Sequence, residues 1–182
     1  MGITASYRRI KPEKFAELQN NPQVAASFFE WDEDSYGIEG IDIYRSENKE
    51  NYFSLEKDWH ALHFLLTGDT SMSMEENTQV LPPLCNVVIG GTPTEFDATY
   101  GFVRYLTPEE VREVADALSQ ISAEELKGRF NPNLFKQGDI YPGGDGWDED
   151  QIEFLLNELY PELLEFFQKA AKEGDIMLLS SN

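Results

Sequence analysis

The chain reads as an α+β fold in which a small, mostly antiparallel sheet is packed with several helices. Three observations predict it. Short alternating, β-prone runs stand at the beginning of the chain, at Tyr100–Leu106 and at the very end. Capped amphipathic segments lie between them, and a long helical phase near the C-terminus runs into an apolar closing strand. With 182 residues, 41% hydrophobic and 13% aromatic, and no break in composition, the expectation is a single domain over residues 1–182 built on one core.

Taken in order, Gly2 to Ile10 alternates apolar and polar residues and predicts a strand, after which Lys11 and Pro12 open a helix that runs to about Asn20. Asn21 and Pro22 start a second short helix carrying Val24, Ala25, Phe28 and Phe29. Trp31 to Glu50 is acidic and irregular, a surface excursion with a short strand at Ile41–Tyr44. The stretch Leu55 to Thr70, LEKDWHALHFLLTGDT, reads as one amphipathic helix. Ser54 is its N-cap, Leu55, Trp59, Leu62 and Leu66 its buried stripe, and Gly68 its left-handed C-terminal cap. Asp69 to Pro83 is polar and closes on two prolines, which predicts an exposed loop. Leu84–Ile89 fits a buried strand or one turn of helix equally well, and Gly90–Gly91 is a turn.

Tyr100–Leu106 alternates as a strand and delivers the chain to Thr107, Pro108, Glu109 and Glu110, a capping box with proline at the first helical position. That helix should bury Val111, Val114, Ala115 and Leu118. A second box, Ser122 to Glu125, opens a short helix that Asn131 and Pro132 end. Asn133 to Asp150 reads as loop. The last helix starts near Asp148, where Ile152, Leu156, Leu159, Leu163, Phe166 and Ala170 keep one phase straight through Pro161. Proline removes the bond to the Asn157 carbonyl, so a kink or two helices end to end is expected. Gly174 stops the helix, and Asp175–Ser180 closes the chain as a strand buried on both faces.

Charge narrows the function. The chain holds 14 Lys and Arg against 34 Asp and Glu, a formal charge of −20. A phosphate backbone or an anionic lipid surface would be repelled, so neither nucleic acid nor membrane is an expected partner. No basic residue lies between Lys57 and Arg104, and nine acids stand between Lys136 and Lys169 with no base among them. The plain reading is a solvated acidic surface; the sharper one is a face that meets a basic protein partner. Cys85 is the single cysteine, which fits a reducing, cytoplasmic setting. There is no membrane-length apolar run and no signal-peptide pattern. The opening MGITAS matches the myristoylation pattern, but Ile3, Ala5 and Tyr7 read better as one face of a strand.

Candidate chemistry gathers on the helix around Trp59. His60 and His63 stand three apart, a spacing that brings two imidazoles onto neighbouring parts of a helix surface. No third ligand completes a metal spacing, so no metal and no cofactor are expected. Packed among Trp59 and leucines, one histidine reads as a hydrogen-bonded core residue and the other as semi-exposed. If a pocket exists, its wall is the end of this helix and the Thr67–Asp69 turn, and its lining is Trp59, His60, His63, Thr67, Asp69, Tyr100 and Tyr141. Two histidines beside aromatics could then supply acid and base to a hydrolase-type reaction. Cys85 in an apolar run reads as buried and inert. Asp145, Asp148 and Asp150 do not match a calcium loop, and the serine-hydrolase, kinase, Walker and dinucleotide signatures are missing. The leading expectation is therefore a non-enzymatic binding module, with the hydrolase as the alternative.

Several segments taken together resemble the YfbM-like family, a set of bacterial proteins of unknown function. They are the opening MGITASYRRI, WHALHFLLTG from Trp59 to Gly68, PLCNVVIGG from Pro83, YGFVRYLTPEEV from Tyr100, IYP at Ile140 and the tail FFQKAAKEGDIMLL. The resemblance covers nearly the whole chain. It implies an α+β fold in a bacterial cytosol and brings no activity, cofactor or catalytic set with it.

Overall fold

A computed structural model describes residues 2–29, 49–75 and 79–182. Its centre is a sheet of five strands in the order β2-β1-β5-β4-β3, antiparallel at every junction. The strands are β1 (Ala5–Ile10), β2 (Tyr52–Glu56), β3 (Thr92–Asp97), β4 (Phe102–Leu106) and β5 (Ile176–Ser181). The C-terminal strand takes the middle position, between β1 and β4. Its alternate residues are apolar on both faces because both faces are covered.

On one face Tyr7, Leu55, Leu106, Met177 and Leu179 join the larger core. This core takes in α3 (Trp59–Thr67), α4 (Pro108–Ser119), α5 (Ala123–Arg129), α6 (Pro132–Gln137) and the C-terminal helices α7 (Glu149–Phe154) and α8 (Tyr160–Glu173). On the other face Val103, Ile176 and Leu178 meet Phe15 of α1 (Pro12–Asn20) and Phe28 and Phe29 of α2 (Pro22–Phe29). The register explains the split. Tyr7 pairs with Leu179 and Ile10 with Ile176, and directly opposed residues share a face.

The caps form as the sequence predicts where they are local. Thr107 and Glu110 make the reciprocal box, and Gly68 and Gly174 hold left-handed caps; Asp148 and Gln151 make a further box that was not expected. The expected second box forms only by half: Ser122 accepts from the Glu125 N–H, while the Glu125 carboxylate pairs with Arg129. Pro161 is accommodated without a break. The Tyr160 N–H reaches back five residues to the Leu155 carbonyl, so a π turn over Leu155–Leu159 joins α7 to α8.

Two expectations give way, one strand was not expected at all, and one open alternative is settled. Ser54 and Leu55 belong to β2 rather than to the central helix, which starts at Trp59 behind Asp58. Leu55 is buried at helical spacing from Trp59 but reaches the core from the sheet, and Glu56, at φ 48°, turns the chain between the two elements. Asn131 and Pro132 start a helix instead of ending one: Asn131 accepts from the N–H groups of Asn133 and Leu134, so α6 lies inside the expected loop. β3, reading TPTEFD, was hidden by its proline, its threonines and its acids, which signal turn more strongly than strand. Leu84–Val87 resolves as a 3-10 turn. The short strand expected at Ile41–Tyr44 lies outside the described residues.

Candidate functional site

The site grows from the C-terminal end of α3. Leu62, Leu65 and Leu66 are buried there, and at about 1.5–3 kcal/mol per buried side chain they outweigh the roughly 1 kcal/mol of a cap that Asp58 does not supply. The Gly68 N–H donates to the Phe64 carbonyl at 2.7 Å and the chain turns back along the helix. Thr67 Oγ1 donates to the His63 carbonyl at 2.7 Å and accepts from the Asp69 N–H at 3.1 Å. The Asp69 carboxylate then faces His63, with Nε2 and Oδ2 3.2 Å apart, while its other oxygen accepts from Ser71 Oγ at 3.0 Å.

His60 sits one turn earlier on the same side. The Tyr141 N–H donates to its Nδ1 at 2.9 Å, so that nitrogen is the acceptor and Nε2 carries the proton, which it donates to the Thr70 carbonyl at 3.0 Å. Both ring nitrogens are thereby held in a neutral tautomer. Trp59 stacks on His60 at 5.1 Å and on Tyr141 at 5.7 Å between centroids. Its indole N–H donates to the Ile3 carbonyl, and the Ile3 N–H donates to the Tyr141 hydroxyl at 2.6 Å. The N-terminal segment is thus clasped by two aromatics of the site.

His63 is fully buried, at 0% exposure, and His60 is 1% exposed, so neither is the semi-exposed histidine the sequence suggested. Burial pushes the His63 imidazole below its ordinary value, and the bond and charge of Asp69 pull only partly the other way. With Nε2–H directed at Asp69, Nδ1 is left as a buried acceptor without a partner. An Asp–His pair can orient a general base, but the nitrogen that would meet a substrate is enclosed, and Ser71 donates to the carboxylate instead of to the imidazole.

Of the candidate residues, Trp59, His60 and Tyr141 join through stacked rings and a hydrogen bond, His63, Thr67 and Asp69 join through hydrogen bonds, and the two groups meet where Asp69 precedes Thr70 in the chain. Tyr100 stands apart. It is 49% exposed at the β3–β4 turn, its N–H donates to the Ser181 carbonyl, and no hydrogen bond or ring contact links it to the others. Cys85 is buried beside Asn86, and burial pushes its thiol up. Asp145 pairs with Lys136 at 2.8 Å. Among the described residues no three His, Cys, Asp or Glu side chains converge as metal ligands. Sequence reasoning missed Arg129, whose guanidinium donates to the Leu65 and Leu66 carbonyls at the end of α3. Its partners lie more than sixty positions away, and no local signal marks them.

The fold and the helix-end site define an α+β protein with a five-stranded antiparallel sheet. The family model described as domain of unknown function (DUF1877) matches residues 1–180, and the chain belongs to that family. Its fold is similar to the crystal structure of YfbM from Escherichia coli, a protein of unknown function. That likeness has a TM-score of 0.64 at 20% identity and covers 97% of this chain and 98% of the other. No curated protein matches. Among the described residues no helix is long and apolar enough to cross a membrane.

Proposed function

We propose that the protein is a non-enzymatic binding module that engages a basic protein partner. The observation that carries this is the solvent side of the C-terminal helices. Asp150, Glu153, Glu158, Glu162 and Glu165 are all exposed there, on the same helices as a phenylalanine, Phe154, that is 55% exposed. Among the described residues Glu153 pairs with Lys127. An exposed apolar side chain on a helix face rich in carboxylates suits a Lys- or Arg-rich surface, and the −20 charge would speed its approach. Neutralising a basic toxin would be one form of this role. Pull-down from the native host at low and high salt tests it, with a Glu158→Lys/Glu162→Lys/Glu165→Lys variant in parallel. A basic protein lost at high salt and lost with the variant is expected; a catch indifferent to both overturns the reading.

A second reading is a hydrolase-type enzyme built on the His63–Asp69 pair, which is the one acid–base arrangement in the site. His60→Ala and His63→Ala variants on a panel of generic ester and amide substrates test it. Wild-type inactivity across the panel, or turnover unchanged in both variants, removes it.

A further inference from the structure

The chain holds 34 acids against 14 bases, yet one half-buried cation has no acid beside it among the described residues. Arg104 stands in the middle of β4, opposite Leu179 of β5 on one side and Pro93 of β3 on the other. Its Nη1 donates to the Gly90 carbonyl at 2.7 Å and to the Val88 carbonyl at 3.2 Å, which uses both hydrogens of that nitrogen. Among the described residues the Nε–Nη2 edge makes no hydrogen bond and no carboxylate pairs with the guanidinium. By contrast Arg9, Arg112 and Arg129 are each paired with a carboxylate. Burial presses the Arg104 guanidinium below its ordinary value, and its ionisable neighbour is the Tyr7 hydroxyl, which burial keeps protonated, so among the described residues no negative charge answers it. What is open on this side chain is the flat two-donor fork that matches the two oxygens of a carboxylate. We propose that the Nε–Nη2 edge of Arg104 receives the carboxylate of a small organic acid, whose apolar body lies on Phe102.

The fork is anchored on a fixed turn. The Gly90–Gly91 peptide is gripped on both edges: its carbonyl accepts from Arg104, and its N–H donates to Oδ1 of the buried Asn86 at 3.1 Å. A Cβ on Gly91 would stand 3.4 Å from both Arg104 Cβ and Leu106 Cδ2, so the turn lies on the Leu106 end of this row of side chains. A guanidinium placed in advance loses little freedom when a ligand arrives. The other end of the row is uncovered. Phe102, two residues from Arg104 and so on the same face of β4, is 51% exposed. It offers a ring on which the carbon part of the acid can lie. Charge decides which anion is taken. Asp97 pairs with Phe102 across the β3–β4 hairpin and shares that face, and the whole chain stands at −20. A carboxylate with one charge therefore enters at less cost than a phosphate with two.

Proton–nitrogen NMR of the whole chain at neutral pH tests this, with the Arg104 Nε–H followed as phenylacetate, its neutral counterpart phenylacetamide, or inorganic phosphate is added. Phenylacetate should shift that resonance saturably, with a midpoint on the order of 1 mM or tighter, and phenylacetamide should not. Phosphate should bind more weakly than phenylacetate. Arg104→Lys, which keeps a charge but has no fork, should weaken phenylacetate about tenfold or more. Phe102→Ala, at an exposed position, should weaken it about threefold or more. No saturable shift with phenylacetate, an equal shift with phenylacetamide, tighter binding of phosphate, or a midpoint unchanged in either variant overturns the proposal. Should Arg104→Lys not fold, the three probes on the wild type and the Phe102→Ala titration decide it in the same terms.

Discussion

Two buried polar clusters in this molecule solve the same problem in opposite ways. At the junction of β1 with β5, Arg9 and Asp175 are both buried and compensated. Arg9 Nη1 lies 3.4 Å from both Asp175 and Glu173, Lys11 Nζ lies 2.6 Å from Asp175, and the Arg9 Nε–H donates to the Glu50 carbonyl. At the end of α3 the two histidines are held neutral, and one nitrogen is left over. The first cluster uses charge to fix the end of the central strand; the second avoids charge and so becomes sensitive to its arrival. A burial pattern alone would not separate them. What separates them is whether every donor and acceptor has a partner.

The largest break in this contrast comes from Asp175→Ala, which strands Arg9 in the interior. A loss of about 3 kcal/mol in unfolding free energy, read by urea denaturation, is expected; a loss below about 1 kcal/mol would mean that Glu173 alone compensates the guanidinium.

Next comes the pH at which each cluster fails. Burial lowers the folded value of His63 beneath the ordinary 6.5, so its contribution is present above 6.5 and is lost as pH falls from there towards the lowered value. Glu173, held below its ordinary 4.5 chiefly by the bond from Lys11, contributes above 4.5 and fails only at lower pH. Stability followed from neutral to acid pH should therefore fall first through the histidines. A His63→Gln variant should flatten that first segment and leave the second.

Smaller effects bracket the rest. Tyr7→Phe removes the buried hydroxyl that donates to the Val87 carbonyl at 2.7 Å, which should cost about 1–2 kcal/mol. Thr107→Ala removes a reciprocal helix cap, at about 1 kcal/mol. The triple charge reversal on the C-terminal helices should alter unfolding by less than about 0.5 kcal/mol, since its sites are exposed. A large loss there would mean those carboxylates serve the fold rather than a partner.

What the sequence made legible was local. Caps at Gly68, Thr107 and Gly174 depend on residues three or four apart, and each forms. The closing strand was readable because it is apolar on both faces. β2 was misread because Leu55 keeps helical phase with Trp59 while being buried from a different element, a coincidence that periodicity cannot resolve. α6 was missed because an Asn-Pro pair can end one helix and begin the next. At the site, the grouping of Thr67 and Asp69 with His63 follows from a tight turn. The partners of His60, Trp59 and Arg129 come from positions 141, 3 and 65–66, distances over which no local pattern speaks. Tyr100 was grouped with the site on chemistry alone, and the β3–β4 hairpin carries it elsewhere.

The central claim is that both imidazoles are neutral structural donors directed at the 68–75 loop. Nitrogen NMR of the two histidine rings at neutral pH tests it most directly. Two neutral rings are predicted, each protonated on Nε2 with Nδ1 bare. A charged ring, or His63 protonated on Nδ1, would contradict the account.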